Sequence, residues 1–459
     1  YVSLGRSNMK KVLALTLVGA MMTGLVACGS ESPAPTETTA VASKTDNVTQ
    51  ASDETTKAQS NEQVTLRFSW WGNDARHEKT IAAIKLFEEA HPNVTIEPEY
   101  RGKSEREKVA TELSSGTCAD IVQLNTPWMG DFVANGDFFV DLSQYDFDMT
   151  GFDEGMIKNY CTYNDTLITL PAGMNARIFL ANKTKLDELN IPCNLDTSWT
   201  WDKVVEIGKQ VHEADSNKYF LNADKVDMVE FILRPYIVQK TGKLFIGEDN
   251  KPGFTVDDLK DGLSYISSLY KENVVVPATD GNTFLNSVWT NPNWINGNLA
   301  TELTWTSIMP GAIADSTDEY TVTGLPVMDG AKDTGIIVKP TSLYAITKTS
   351  EHPEVAAEFL NFILTETSAG EILSDCRGLP TYKKVQEYCL EKGLIDERII
   401  KATDYAVEHQ GLYENTASTN TEVITALQDA VETVSYDADQ IDKVAESTMK
   451  LIEDILSAL

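Results

Sequence analysis

Val64-Thr65-Leu66-Arg67-Phe68-Ser69-Trp70-Trp71-Gly72-Asn73 opens the stretch whose reading decides the fold, and the decision is complete by Leu124. Val64, Leu66 and Phe68 alternate with Thr65, Arg67 and Ser69, the period-two pattern of a half-buried strand. Ile81, Ile84, Phe87 and Ala90 then recur at helical spacing until Pro92 stops them, and Val94 with Ile96 begins a second strand. Ser104 and Glu107 make a capping box for a helix through Leu113, Gly116 closes it, and Ile121-Val122-Gln123-Leu124 is a short buried strand. This β-α-β-α-β order predicts a doubly wound α/β lobe with a largely parallel sheet. Ligands of such sheets bind beyond the carboxyl ends of the strands, so Trp70-Trp71-Gly72-Asn73 and Asn125-Thr126-Pro127-Trp128 fall on one binding edge.

Downstream of Pro171 a second α/β region follows, with a strand at Arg177-Ile178-Phe179-Leu180 and helices around 201–211 and 256–270. The chain closes with apolar spacing at Ile424, Leu427 and Val431, then at Val444, Ile452, Ile455 and Leu456, the pattern of helices packed on a lobe. With 459 residues and 42% hydrophobic content, two cores are expected rather than one. No internal repeat is present, and no second apolar stretch is long enough to span a bilayer.

Upstream of Val64 the character changes. Met9 is read as the true start, with residues 1–8 an artefact of start-site choice. Lys10 and Lys11 precede an apolar run from 12 to 26, a charged region and hydrophobic region too short and too abruptly ended for a comfortable membrane span. The run ends in Leu25-Val26-Ala27-Cys28-Gly29-Ser30, which resembles a bacterial lipobox and marks Cys28 as the residue that receives diacylglycerol. Residues 29–62 are Ser, Thr, Ala, Glu and Asp with two prolines and almost no large aliphatic side chain, a composition that predicts a disordered tether.

Composition excludes several functions. Asp+Glu number 69 against 38 Lys+Arg, a formal net charge of -31, so the long-range field repels nucleic acid and disfavours a uronic-acid polymer. Setting Cys28 aside leaves Cys118, Cys161, Cys193, Cys376 and Cys389, an odd set with no CxxC spacing that reads as free thiols with at most a stray bridge. The five histidines are scattered without metal-ligand spacing, and there is no GxSxG, HExxH, GxxxxGK[ST] or GxGxxG after a strand. Neither metal nor cofactor is implied.

A set of segments in fixed order carries a resemblance. It comprises Leu66 to Gly72, Phe87-Glu88-Glu89-Ala90-His91-Pro92-Asn93-Val94, Ala119-Asp120-Ile121-Val122, Leu170-Pro171-Ala172-Gly173-Met174-Asn175-Ala176-Arg177, Asn182-Lys183 and Ser198-Trp199-Thr200-Trp201-Asp202. Gly324-Leu325-Pro326, His352-Pro353-Glu354-Val355-Ala356-Ala357-Glu358-Phe359-Leu360 and Arg377-Gly378-Leu379-Pro380 complete it. From Val64 to the C-terminus the chain resembles the family 1 extracellular solute-binding proteins of carbohydrate ABC importers, which include maltose- and multiple-sugar-binding lipoproteins. The resemblance implies a two-lobe, periplasmic-binding-protein-like fold, each lobe a mostly parallel sheet flanked by helices, closing by a hinge over a ligand in the cleft. It places crossings near 171–175, 338–343 and Arg377, and lobes at 63–172 with 344–375 and at 173–343 with 376–459, after a signal peptide at 1–28.

A pyranose presents apolar C–H faces and a rim of hydroxyls, so its site needs aromatic plates and planar polar groups. Trp71, Trp305 and Tyr344 are the candidate plates; the resemblance favours Trp305, because family members often place a stacking Trp in that region. Each could alternatively be an ordinary core aromatic, Tyr344 most readily. Trp128, Trp289 and Trp294 could line the cleft or its rim, whereas Trp199 and Trp201 read as packing the start of a helix. Asn73, Asp120, Asn125, Asn175 and Arg377 are the candidate rim groups. Arg377 is alternatively an ion-pair partner across the hinge, Asp120 alternatively a strand terminator, and Glu302 a weaker candidate that reads as surface. The function implied is an extracytoplasmic receptor, not an enzyme, that captures a mono- or, preferably, neutral oligosaccharide and delivers it to ABC permease subunits, as a monomer anchored through lipid. The rivals are a secreted glycoside hydrolase, and the same fold taking a peptide, polyamine or other small solute in one deep charged pocket.

Overall fold

In the computed structural model, residues 62–102, 105–192, 199–284, 290–314 and 316–458 are described. The expectations for residues 1–61, including Cys28 and the tether up to that point, and those for Ser104, Cys193, Ser198 and Trp289 lie outside the described residues.

Strand β1 (Val64–Trp71) runs parallel to β2 (Val94–Arg101) in full register, Val64 opposite Val94 and Trp71 opposite Arg101. Helix α1 (Asp74–Ala90) connects them; the Asn73 side chain caps it by accepting from the Arg76 N–H at 2.9 Å, and it ends where Pro92 cannot continue it. Helix α2 (Glu105–Ser115) then leads to β3 (Ile121–Leu124), parallel to β1 on its other edge. A two-stranded hairpin, β4 (Thr162–Tyr163) and β5 (Thr166–Leu167), precedes the long strand β6 (Leu170–Asn182). β7 (Tyr219–Asn222), β8 (Leu299–Trp305), β9 (Tyr320–Thr323) and β10 (Val338–Ile346) complete the sheet, in the order β2-β1-β3-β10-β6-β8-β7 with β9 paired to β6.

Pairing is parallel where strands alternate with helices, β1 with β2 and β3 and β7 with β8, and antiparallel where the two long strands cross. The first half of β6 pairs with β10 (Met174 opposite Pro340), and its second half lies between β8 and β9 (Leu180 opposite Glu302 and Val322). One strand therefore serves two regions of the sheet. A third segment joins at this waist: Met174 N–H donates to the Leu379 carbonyl at 2.7 Å, Leu379 N–H returns to Met174 at 3.1 Å, and the Thr341 hydroxyl donates to the Arg377 carbonyl at 2.5 Å. Glycine is required here. Gly378 has φ +89°, and a Cβ would come 2.6 Å from the Thr341 methyl and 2.7 Å from the Met174 carbonyl oxygen.

The buried side chains form two clusters. One gathers Phe68, Phe87, Leu124, Tyr344 and Phe359 around β1, β3 and β10; the other gathers Phe179, Trp201, Phe220, Ile266 and Leu427. The C-terminal tract divides between them, because Leu379, Val385, Ile399 and Ala406 join the first cluster and Val423, Val431 and Ile452 the second. Trp199 and Trp201 are buried in the second, at the start of the helix Trp201–Ala214, whose cap is Thr200.

Candidate functional site

Beyond the carboxyl end of β3 the chain turns through Asn125 and Pro127, and these two residues form one wall of a cavity of about 330 Å3. Its floor is Asn175 of β6 with Lys339, Pro340 and Thr341 of β10, where the crossing strands meet. It is lined further by Trp305, at the end of β8, and by Val226, Asp227, Val229, Glu230 and Phe231. Three of the sequence candidates, Asn125, Asn175 and Trp305, thus arrive together from three separate elements.

Trp305 is half-buried and backed by the Phe231 ring at 5.4 Å between centroids. Two cations also address it: the Lys339 ammonium lies 4.4 Å from the ring centroid and the Arg177 guanidinium 5.6 Å, both within cation–π range. Asn175 is held rather than free, its Oδ1 accepting from the Thr306 hydroxyl at 3.0 Å and the Ser307 N–H at 2.9 Å. Trp71 and Trp128 are half-buried and tilted against each other at 5.1 Å, on the two loops expected at this edge, and Trp128 adjoins Pro127 of the cavity wall.

Other candidates lie elsewhere, each for a physical reason. Asp120 precedes β3, so it sits at the amino end, about 16 Å of strand from Asn125; its carboxylate accepts from the Arg67 N–H at 2.8 Å. Asn73 spends its carbonyl oxygen on the α1 cap. Tyr344 is 1% exposed and packs edge-on against Phe68 at 5.4 Å, a core ring rather than a plate. Arg377 is 4% exposed, lies 5.8 Å from the Tyr344 ring and makes no ion pair among the described residues. Trp294 is buried, donating to the Ala312 carbonyl at 2.8 Å. Glu302, read as surface, is 3% exposed.

The site also contains residues the sequence reading missed, and they are charged. Glu230 receives Arg177 at 2.8 Å, Arg234 at 2.7 Å and Lys339 at 3.1 Å; Glu414 receives Arg177 at 3.3 Å, and Arg234 as well. Burial alone would raise the Glu230 carboxyl, but Lys339, Arg177 and Arg234 outweigh it and hold the group well below the usual carboxylate range. Glu414 is likewise held low by Arg234 and Lys339 against burial. A few residues away the balance reverses: burial and then the Asp224 charge push Asp227 well above the usual range, and burial and then Asp227 do the same to Glu302. The signal available for Glu230 was its place as the one charged residue in Met228-Val229-Glu230-Phe231-Ile232-Leu233, a run folded as a widened, π-type helix of the kind often found at functional sites.

Residues 73–370 match the family described as bacterial extracellular solute-binding protein. The chain belongs to this family. Among solved structures, this solute-binding protein is similar to a periplasmic solute-binding protein of Pectobacterium atrosepticum, at 26% identity and TM-score 0.78, over 86% of this chain and 99% of that one. It shares its fold with an oligogalacturonide-binding protein of Yersinia enterocolitica solved with saturated digalacturonic acid (24% identity, 86% and 99% covered, TM-score 0.76). The same holds for an ABC substrate-binding protein of Listeria monocytogenes solved with cycloalternan (15%, 86% and 100%, TM-score 0.68). The mixed α/β architecture with a central sheet flanked by helices is that of these two-lobe binding proteins. Among the described residues of this solute-binding protein, no helix is long and apolar enough to cross a membrane.

Proposed function

We propose that the chain is the extracytoplasmic receptor of an ABC importer and binds a neutral oligosaccharide in the cavity between Asn125 and Trp305. The observation that carries this reading is the convergence of an aromatic plate and two amides on one open cavity at the crossing strands. Trp305 offers the ring on which a pyranose C–H face lies, with Trp71 and Trp128 extending an apolar surface for a further unit. Asn125, Asn175, Thr341 and Lys339 supply the rim. Exchange of hydroxyl contacts between protein and water nearly cancels, so affinity comes from stacking and closure while the amides select the sugar. Residues 63–172 with 344–375 and 173–343 with 376–459 act as the lobes, except that the stretch from Leu379 to Ala406 packs on the core of the first, and they are hinged where β6, β10 and Arg377-Gly378-Leu379 adjoin. Cys28 carries the lipid and the residues after it the tether, so the monomeric receptor stays beside its permease.

A hydrolase reading has one observation in its favour, a carboxyl pushed up (Asp227) and one held down (Glu230) on the same cavity. The hydrogen-bond partners argue the other way. Glu230 is spent on three cations and Asp227 on the turn it shares with Asp224, whose N–H it accepts at 3.5 Å. A charged-solute reading is disfavoured by the same pairing, since the cavity's acids and bases answer one another. The test is calorimetric titration with neutral mono- and oligosaccharides followed by chromatography of the recovered sugar. Saturable binding with the sugar intact supports the receptor; release of shorter products refutes it.

A further inference from the structure

On the other side of the waist lies a group of buried donors that the sugar site does not use. Arg377, 4% exposed, has no hydrogen-bond partner at Nε or Nη2; its Nη1 reaches only the Cys376 sulfur, at 3.6 Å. The Tyr344 ring lies 5.8 Å from that guanidinium, and its hydroxyl is likewise buried without a partner. Arg76 is the neighbour: it donates to the Cys376 carbonyl at 2.9 Å, and its pKa is lowered by burial and then by the Arg377 charge. Among the described residues neither arginine forms an ion pair; Asp375, two positions before Arg377, takes the Ser374 hydroxyl at 3.3 Å instead. A buried cation, Arg377, therefore lies beside a half-buried one, Arg76, without a countercharge, an arrangement that is costly when nothing compensates it. Tyr344 and Arg377 both line a cavity of about 30 Å3, otherwise walled mainly by Ile363, Leu364, Leu373 and Val385, with room for an occupant of about the size of a water and none for a sugar.

We propose that this cavity is a site for one small monovalent anion, a halide such as chloride, held by the Arg377 guanidinium and the Tyr344 hydroxyl. A water would satisfy the hydrogen bonds and leave the charge of Arg377 unbalanced; a halide satisfies the bonds and balances that buried charge, while half-buried Arg76 keeps access to solvent. Because the Arg377 carbonyl accepts from Thr341 and Gly378 rests on Met174, the anion fastens the third segment of the waist to β6 and β10. The site is independent of which solute the receptor carries.

The experiment is thermal unfolding of the full chain at constant ionic strength, with sodium chloride exchanged for sodium gluconate, whose anion is too large for the cavity. The Tm is expected to rise by about 1–2 °C for each tenfold increase in chloride above its Kd, and to stay flat in gluconate. Arg377→Met should abolish the halide slope. Tyr344→Phe, which keeps the core ring, should displace the rise to higher chloride by about tenfold, and serves if the first variant does not fold. A crystal grown in bromide should show an anomalous peak within hydrogen-bonding reach of Arg377. Equal slopes in chloride and gluconate, an unchanged slope in Arg377→Met, a rise that is not displaced in Tyr344→Phe, or a bromide crystal with no such peak would assign the cavity to water and overturn the proposal.

Discussion

Two pairs of arginines, all buried except half-buried Arg76, lie near the waist of the molecule, and they are treated in opposite ways. Arg177 and Arg234, 1% and 3% exposed, meet Glu230 and Glu414, and Lys339 joins them, so charge is answered within the protein. Arg76 and Arg377 meet carbonyl groups, a thiol and an aromatic ring and, among the described residues, no carboxylate. The first arrangement is a rigid backing for Trp305. The second leaves donors for something the chain does not supply. A buried ion pair gains little over an apolar pair of the same shape, but breaking one is expensive, so the difference is best exposed by removing single members.

The largest effect is expected from Glu230→Ala, which leaves Arg177, Arg234 and Lys339 to share Glu414 alone: a loss of about 3–5 kcal/mol in chemical denaturation. Arg377→Met should cost far less under low chloride, since it removes a cation that has no ion-pair partner; equal losses for the two variants would erase the contrast. Next comes Gly378→Ala, where a positive φ and two close contacts oppose the methyl, at about 1–3 kcal/mol of stability. Trp305→Ala follows, with about 1–3 kcal/mol lost from sugar binding in calorimetry, and Trp71→Ala less, because only Trp305 lines the cavity.

The smallest effect is one of pH. Glu230 and Glu414 titrate below their ordinary range, so their contribution is present above it and is lost as the pH falls through the lowered values. Glu302 and Asp227 titrate above theirs; their contribution is complete only in acid and is lost as the pH rises through the raised values. Glu302→Gln, always neutral, should therefore match the parent Tm in mild acid and exceed it increasingly toward alkaline pH. A constant offset would mean that Glu302 is ionised throughout.

The same contrast marks what was legible beforehand. From Val64 to Leu124 periodicity, caps and stop residues suffice, because each depends on neighbours within a few positions: Asn73 caps α1, Pro92 ends it, and the strands fall where the alternation does. The convergence of Asn125, Asn175 and Trp305 was also anticipated, since loops after strands and a strand at the hinge have defined positions in such folds. Asp120 was misplaced although its position before the strand put it at the amino end. Tyr344 was misread because closeness to a crossing does not reveal which side of the sheet a ring occupies; it packs on Phe68. The ion network was invisible because its members are far apart in sequence, 237 positions from Arg177 to Glu414 and 109 from Glu230 to Lys339. No local pattern encodes such pairs.

Calorimetric titration of neutral oligosaccharides into the parent chain and into Trp305→Ala tests the sugar site most directly. Saturable micromolar binding in the parent, weakened about 5–100-fold in the variant, is the result expected of a pyranose lying on that ring. Undiminished affinity in Trp305→Ala would contradict it.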